Sequence, residues 1–331
     1  MLKIYLRLAA NANNGVGYYR QWLPLKTAER KGKIKLKCDY FDFGTQSRQN
    51  PDEKDLKKKL EWADIVYFNR NDVAWFYNNM LYAKKMIGKK IVLDNDDNIY
   101  AVRPWNPGYQ SYHPNSMAQK LHKEFIPFLD GLTVSTKNLK ELYKDSIKNI
   151  VVLPNSLDLK SFGKVVRKPN ERLIIGWTGS SAHWENLKLI EDVIIEILKE
   201  FPNVEFQYVG GYVNLFENIS KDIASRIKAI PFHDLKGWHK YLNSLNFDIA
   251  LAPLADNMFN RAKSNLRWIE YSACSYPTIA SNVEAYKCIR NGIDGILCSS
   301  KQDWYKAIKG LINNPDKRKE LAKMANIRIK N

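Results

Sequence analysis

The sequence is poor in several features that mark particular classes of protein. Its 331 residues include four widely spaced cysteines with no C-x-x-C pair, so we expect reduced structural thiols and no disulfide framework. No run of about 18 apolar residues occurs, and we therefore predict no membrane-spanning helix. The N-terminus reads as a strand and lacks the apolar core and cleavage site of a signal peptide, which predicts a cytoplasmic protein.

Acidic residues are few relative to basic ones. The chain has 35 Asp and Glu against 52 Lys and Arg, a formal net charge of +17, and both halves share the excess. One explanation is a compositional bias towards lysine. The other is an anionic partner, such as a nucleotide donor, a nucleic acid or an acidic membrane surface. Apolar residues make up 45%, enough for two cores in a chain of this length.

The first half of the chain alternates short β-rich runs with helical patterns. The predicted strands are 2–9, 34–42, 64–69, 90–94, 131–135 and 150–153. The predicted helices are 18–31, 53–62, 73–87, 115–129 and 137–145. This alternation is typical of a parallel, doubly wound sheet with helices on both faces.

The alternation restarts after a segment rich in breaker residues, 154–170. The second set of predicted strands is 173–177, 204–209, 227–230, 248–252, 277–280 and 295–298. The second set of predicted helices is 184–200, 234–245, 262–274, 284–290, 301–313 and a tail helix from 315. We therefore predict two Rossmann-like α/β domains, 1–155 and 171–331, joined by a hinge at 156–170. We expect them to face each other across a cleft, with ligands at the carboxyl ends of the strands.

The first candidate site is a G-x-G-x-x-R motif, preceded by two asparagines and formed by Gly15, Gly17 and Arg20. Two glycines let backbone amides approach a ligand, and the N-terminus of the following helix favours an anion. The third glycine of the dinucleotide fingerprint is missing, although Asp39 or Asp42 stands where a ribose-binding acid belongs. A tight turn without a ligand is the alternative.

The second candidate site is an acidic cluster at the end of the fourth strand, formed by Asp94, Asp96 and Asp97. Such a cluster can supply a general base or a carboxylate that stabilises positive charge on a sugar ring. Divalent-metal binding and a solvated capping loop are the alternatives. We favour Asp96 and Asp97 as the functional pair.

The third candidate site follows the first strand of the second half, where Gly179, Ser180 and Ser181 precede a helix. Small residues and hydroxyl groups at such a turn form a phosphate cradle. His183 and Lys188 would add donors or positive charge. A plain capped helix start is the alternative.

The fourth candidate site is the most specific pattern in the chain. Lys263, Ser264 and Asn265 precede a helix that carries Glu270, and Pro277 opens the next strand. A basic group for a diphosphate and an acid for a ribose are what a nucleotide-sugar requires. Surface charges on an amphipathic helix are the alternative.

Over nearly its whole length the chain resembles glycosyltransferases with two Rossmann domains, the GT-B type, and the large retaining family 4 in particular. The fourth site resembles that family's donor segment, E-x-x-A-x-G-x-P-x-x-x-S, with Glu270 at the ribose-binding glutamate. Ser275 replaces the usual glycine, and Ala262 stands where the family has an earlier glutamate. The V-L-P-N-S-L-D run at 152–158 resembles the family's interdomain hinge.

The resemblance implies a nucleotide-sugar donor such as UDP-glucose on the second domain and an acceptor on the first. It implies no cofactor and no metal, because Lys263 and Arg267 would offset the charge of the leaving diphosphate. The G-V-G-Y-Y-R start and the acidic strand-four end also look like bacteriophage-encoded glycosyltransferases, some of which modify hydroxymethylated bases in DNA.

Three functional hypotheses remain open. The acceptor is a glycan or lipid-linked glycan, with the basic first domain docked on anionic lipid through Lys54–Lys59 and Trp62, or through 75–77 with Lys84 and Lys85. Alternatively, the acceptor is hydroxymethylated DNA in a host cytoplasm. The acceptor-binding candidates are Tyr18, Arg20, Arg103, Trp105, Tyr109, Tyr112 and His113. A nicotinamide-dependent dehydrogenase is the third hypothesis, and it requires the glycine that Arg20 replaces.

Overall fold

The computed structural model describes residues 1–7, 15–39, 41–42, 47–48, 53–70, 74–210, 215–235 and 237–330. The two asparagines that open the first motif lie outside these residues. The chain forms two compact units. Unit 1 comprises Met1–Pro104, Gly108–Ser156 and Ala262–Ser264, and unit 2 comprises Trp105–Pro107, Leu157–Arg261 and Asn265–Asn331. The role of 156–170 as a hinge stays a prediction.

Unit 1 is built on a six-stranded parallel sheet with the order β2-β1-β5-β6-β7-β8. Its strands are β1 Leu2–Arg7, β2 Ile34–Cys38, β5 Ile65–Asn69, β6 Lys90–Asn95, β7 Gly131–Val134 and β8 Ile150–Val152, and a separate hairpin pairs β3 Phe41–Asp42 with β4 Ser47–Arg48. Its helices are α1 Leu23–Arg30, α2 Glu53–Trp62, α3 Ala74–Lys85, α4 Tyr109–Tyr112, α5 Met117–Phe125 and α6 Lys137–Tyr143. A strand is found at each of the six predicted positions, but the one predicted at 34–42 ends at Cys38, with 41–42 in the separate hairpin, and residues 8–9 of the first lie outside the described residues.

Unit 2 repeats the architecture with the strand order β11-β10-β9-β12-β13-β14, again parallel throughout. Its strands are β9 Leu173–Gly179, β10 Val204–Gly210, β11 Ile227–Ile230, β12 Ile249–Ala252, β13 Thr278–Ser281 and β14 Ile296–Cys298. Its helices are α7 Trp184–Lys188, α8 Glu191–Glu200, α9 Lys221–Ser225, α10 Trp238–Ser244, α11 Met258–Arg261, α12 Leu266–Ala273, α13 Lys301–Asn313 and α14 Pro315–Lys330. The predicted fold class, two parallel sheets surrounded by helices, is confirmed.

Several inner strands form where the sequence has continuous apolar runs, because helices cover both faces of each sheet, whereas the edge strand β2 alternates lysine with apolar residues. Every residue of β12 and of β13 is buried, as are the last four residues of β1. Local signals fix several helix starts. The hydroxyl of Ser300 accepts from the backbone amide of Asp303, whose carboxylate accepts from that of Ser300, so a capping box begins α13.

Some predicted helices have different bounds in the structure. The helix predicted at 18–31 begins as a π-helical segment, Gly17–Trp22, before α1. The helix predicted at 184–200 is interrupted between α7 and α8. The helix predicted at 262–274 begins only at Leu266, because Ala262 is buried in the core of unit 1 and its neighbours bond to unit 1 residues. The helix predicted at 284–290 is a single 3-10 turn, Glu284–Tyr286.

In each sheet the strand order reverses once, between β1 and β5 in unit 1 and between β9 and β12 in unit 2. Ligands of open α/β sheets bind outside the carboxyl ends of strands at such points. The segments that follow β5 in unit 1 and β9 in unit 2 are therefore places to look for a site, and β6 lies directly beside β5.

Candidate functional site

Arg20 and Asp94 form a buried ion pair inside unit 1. The guanidinium of Arg20 donates from Nη2 to Oδ1 of Asp94 at 2.8 Å and from Nε to Oδ2 at 3.2 Å. Tyr67 and Thr133 donate to the same Oδ1 through their hydroxyls. Arg20 also donates to the backbone oxygen of Leu153. The predicted acceptor residue Arg20 and the predicted catalytic residue Asp94 are thus joined to each other, and both are almost fully buried.

Asp96 and Asp97 face two cations on other segments of unit 1. Arg70, directly after β5, places its Nη2 3.3 Å from Oδ2 of Asp97 and 3.5 Å from Oδ1 of Asp96. Lys263 places its Nζ 2.7 Å from Oδ1 of Asp97. Each oxygen of Asp97 therefore lies against a positive charge, whereas Oδ1 of Asp96 is buried and accepts no hydrogen bond from the described residues.

This difference is reflected in the acidity of Asp96. Burial and the neighbouring carboxylate of Asp97 raise the pKa of Asp96 to about 6, against the opposing effects of Arg70 and Lys263. A carboxyl group with such a pKa gains and loses its proton near neutral pH, which is what a general acid or base requires. Among the described residues, no group of three or more His, Cys, Asp and Glu side chains is arranged to hold a metal ion.

The segment 262–264 is held in unit 1 by three contacts besides the burial of Ala262. The hydroxyl of Thr136, the N-cap of α6, donates to the backbone oxygen of Ala262 at 3.0 Å. Asn155 donates from Nδ2 to the hydroxyl of Ser264 at 2.7 Å, and Lys263 pairs with Asp97. The predicted diphosphate ligands Lys263 and Ser264 thus have partners in unit 1.

A buried polar and aromatic group lies behind the acidic cluster. Asn95 donates from Nδ2 to the hydroxyl of Tyr143 at 2.8 Å and to the backbone oxygen of Asp97. Nδ1 of His122 is 2.9 Å from the hydroxyl of Tyr100. Burial, with a smaller effect of Arg70 nearby, lowers the pKa of His122 to about 3, so this imidazole is neutral at physiological pH.

In unit 2, Gly179 ends β9 at a point where no side chain fits. A Cβ on Gly179 would lie 2.5 Å from the ring of Trp177, and a Cβ on Gly210, at the end of β10, would lie 1.8 Å from the backbone oxygen of Gly179. Ser180 and Ser181 follow, and Ser181 opens a 3-10 turn ahead of α7. Glycine at both positions allows the ends of β9 and β10 to approach closely, and the residues after β9 are the small, hydroxyl-bearing ones that a phosphate cradle uses.

Arg267 supplies positive charge at this end of the sheet. Its guanidinium lies 5.5 Å from the ring of Trp177, close to Gly179, and contacts the Tyr286 hydroxyl. No carboxylate in the described part of the chain lies within ion-pair distance of it. By contrast, Lys188 pairs with Glu191. Of these two cations, Arg267 is the one placed to meet an anionic ligand.

Glu270 is held by an indole donor. Trp238 donates from Nε1 to Oε1 of Glu270 at 2.9 Å, and both side chains are almost fully buried. Phe232 stacks on Trp238 with ring centres 4.9 Å apart and is 51% exposed. The exposed ring of Phe232 offers a flat apolar surface, and the carboxylate of Glu270 offers a hydrogen-bond acceptor. A nucleoside presents the matching groups, a planar base and ribose hydroxyls.

Of the remaining predicted residues, Tyr112 places its ring 5.5 Å from the guanidinium of Arg70. A Cβ on Gly15 would lie 3.5 Å from the ring of Tyr19, Gly17 is buried at the start of the π-helical segment, and Tyr18 is half-buried. Asn265 precedes α12 but makes no side-chain capping bond. The exposed predicted residues are Arg103, Trp105 and His113.

Sequence reasoning missed three residues of these sites. Arg70 follows a strand by one position, as Asp96 does, and this shared position was the available signal. Trp238 lies 32 residues before Glu270 and Asn155 lies 109 before Ser264, so only the fold reveals their bonds.

The comparisons with known proteins agree with this architecture. Residues 172–314 match the sequence model of the family described as "Glycosyl transferases group 1". No curated protein matches the chain in sequence. No helix in the described ranges is long and apolar enough to cross a membrane.

Solved glycosyltransferase structures share the fold at low sequence identity. Sucrose-phosphate synthase from Thermosynechococcus elongatus is 13% identical, with a TM-score of 0.66, over 100% of this chain and 94% of that one. HepE from Anabaena, solved with UDP, is 11% identical, with a TM-score of 0.60, over 100% and 95%. TarM from S. aureus is 15% identical with a TM-score of 0.58, and the match covers 80% of this chain but 51% of TarM. The chain therefore spans about half of TarM, and it shares the two-sheet GT-B fold of these solved structures.

Proposed function

We propose that this protein is a glycosyltransferase that transfers a sugar from a nucleotide-sugar donor to a hydroxyl group. The observation that carries the proposal is the arrangement in unit 2, where Glu270 and Arg267 lie on one helix that begins close to Gly179. The family match over 172–314 covers the same residues. HepE has been solved with UDP and with UDP-glucose, which supports a donor of that class.

In the proposed donor site, Glu270 accepts hydrogen bonds from the ribose, and Phe232 stacks on the base. Arg267 and the amides after Gly179 bind the diphosphate. As the glycosidic bond breaks, negative charge builds up on the leaving diphosphate, and a cation already in place stabilises it without reorganisation. Lys263 and Ser264 were predicted for this role, but their unit 1 partners make Arg267 the better supported cation.

In the proposed chemical step, the acidic cluster of unit 1 serves the acceptor. Asp96 takes the proton of the acceptor hydroxyl or stabilises the positive charge that develops on the sugar. Retention of configuration, which the family resemblance implies, stays a prediction, as does a reaction without metal.

For the acceptor we propose a glycan or a lipid-linked glycan, reached in the cytoplasm or at an anionic membrane surface. At the end of α3, Tyr82 and Met86 are exposed on one helix face, and the Nζ of Lys85 lies 5.5 Å from the ring of the exposed Phe128. Apolar side chains ringed by lysine suit the headgroup region of a membrane. Hydroxymethylated DNA is the second candidate, supported by the net charge of +17.

The donor site is tested by binding of UDP, UDP-glucose and other nucleotide-sugars, measured by calorimetry. Glu270→Gln should weaken the tightest of these by about tenfold or more, since a hydrogen bond to a charged group contributes about 1.5–3 kcal/mol. Glu196→Gln, at an exposed carboxylate on α8, is the control. Equal affinities in all three proteins, or no binding of any nucleotide, would contradict the donor site.

The acceptor is tested by transfer from the donor so identified, read by mass spectrometry. One arm offers lipid-linked glycans in anionic vesicles, and the other offers duplex DNA with 5-hydroxymethylcytosine beside unmodified DNA. A hexose-mass gain on the lipid-linked glycan supports the first candidate. A gain on the modified base alone supports the second, and we then expect DNA binding that falls steeply with salt.

A further inference from the structure

Two carboxyl groups, Asp96 and Asp97, stand side by side after β6, and their surroundings differ. Asp97 has a cation against each oxygen, Arg70 at 3.3 Å and Lys263 at 2.7 Å. Its negative charge is therefore compensated from two sides. Among the described residues, Arg70 is the one cation within ion-pair distance of Asp96, at 3.5 Å, and the buried Oδ1 of Asp96 accepts no hydrogen bond.

Arg70 lies within reach of both carboxyl groups. It directly follows β5, the strand beside β6, so the sheet register brings it level with the acidic cluster. Its guanidinium lies 5.5 Å from the ring of Tyr112, and its side chain is 16% exposed. A single Nη2 reaches both carboxylates. Arg70 thus holds the two acids at a fixed separation while hydrogen-bonding to only one of them.

We propose that Arg70 is a positioning residue that fixes Asp97 as a permanent counter-ion and so leaves Asp96 as the carboxyl group that exchanges a proton with the acceptor. This inference rests on the proposed transferase function. It divides the acidic pair into two roles, with Asp97 binding cations and Asp96 acting in the reaction.

The acceptor oxygen forms a bond to the anomeric carbon of the donor sugar, and its proton passes to a carboxylate oxygen of Asp96. The bond from the anomeric carbon to the diphosphate oxygen breaks, and the diphosphate leaves with the electron pair. Asp96 then releases its proton to solvent, which is favourable at pH 7 because burial and Asp97 raise its pKa only to about 6.

The charged groups that act on Asp96 predict opposite effects of two substitutions. Arg70 and Lys263 favour its ionised form, whereas Asp97 and Asp94 disfavour it. Arg70→Gln removes a cation, so the titration midpoint of Asp96 should rise. Asp97→Asn removes an anion, so the midpoint should fall. Each shift should be roughly one pH unit, the size expected for one charge at this distance.

The experiment is a pH titration of the side-chain carboxyl signals of aspartate-labelled protein by carbon-13 NMR. Asp96 is assigned by the signal that Asp96→Asn removes. Arg70→Lys should restore the wild-type midpoint, because it keeps the charge. Arg226→Gln, which breaks a different arginine–aspartate pair in unit 2, should leave the midpoint unchanged. If Arg70→Gln fails to fold, Asp97→Asn and Arg70→Lys still test the assignment.

The acidic limb of the transfer rate should follow the same midpoints. An unmoved midpoint, or shifts of the same sign in Arg70→Gln and Asp97→Asn, would overturn the role of Arg70. If the acidic limb of the pH–rate profile does not shift with the titration midpoint of Asp96, the role of Asp96 is overturned. The titration needs neither donor nor acceptor, so it tests the role of Arg70 independently of catalysis. The proposed function fails instead if the wild-type protein transfers no sugar.

Discussion

The buried pair of Arg20 and Asp94 gives the sharpest stability prediction for unit 1. Replacing Arg20 with Met removes both donors to the Asp94 carboxylate and the donor to Leu153. The carboxylate keeps the hydroxyls of Tyr67 and Thr133 but loses its counter-charge while its burial persists. Leaving one buried charge unpaired costs about 3–5 kcal/mol, and the surviving hydroxyl donors place the expected loss near the lower end.

The double variant tests the cause of that loss. Arg20→Met combined with Asp94→Asn removes the stranded charge, so it should be less destabilised than Arg20→Met alone, with a loss of about 1–2 kcal/mol.

Unfolding in urea is monitored by hydrogen exchange of peptides from β1 and β6, which is read by mass spectrometry. These peptides report on unit 1 separately from unit 2. Wild-type protein and Asp94→Asn are measured in parallel to complete the cycle. A double variant as unstable as Arg20→Met at pH 7 would refute the argument from an unpaired charge.

Two further predictions concern packing and pH. Gly210→Ala should destabilise unit 2 by about 3 kcal/mol, because its φ is +134° and its Cβ would meet the backbone oxygen of Gly179. Gly310→Ala, in the interior of α13 with nothing within 4 Å of the new Cβ, should instead stabilise it by about 0.5–1 kcal/mol. Thermal unfolding of both variants measures the contrast, and a stable Gly210→Ala would contradict it. His122 has a folded pKa of about 3 against an ordinary value of 6.5, so its contribution to unit 1 stability should be lost as the pH falls from 6.5 towards 3. His122→Phe should lose less stability over that range, and parallel pH profiles for the two proteins would show that the imidazole, bonded to Tyr100, is not responsible.

The fold was largely predictable because its main signal is local. Runs such as Ile65–Phe68 in β5 are apolar without interruption, which is typical of strands covered on both faces. The alternation with helical patterns then leaves a parallel sheet as the simplest arrangement. Helix bounds were less predictable, since the segment 262–264 has helix-forming residues but lies in unit 1.

The sequence by itself determined which residue types stand at the ends of the strands. Asp96 and Asp97 follow β6 and Gly179 ends β9, and parallel strands bring such ends to one edge of a sheet. Only the tertiary structure decided which of these groups have partners. Arg20 proved to be the counter-ion of Asp94, 74 residues away, and Lys263 that of Asp97, 166 residues away. The physical reason is that the energy of a charged side chain depends on the groups within a few ångströms of it. When those groups lie so far away along the chain, only the packing of the fold brings them together.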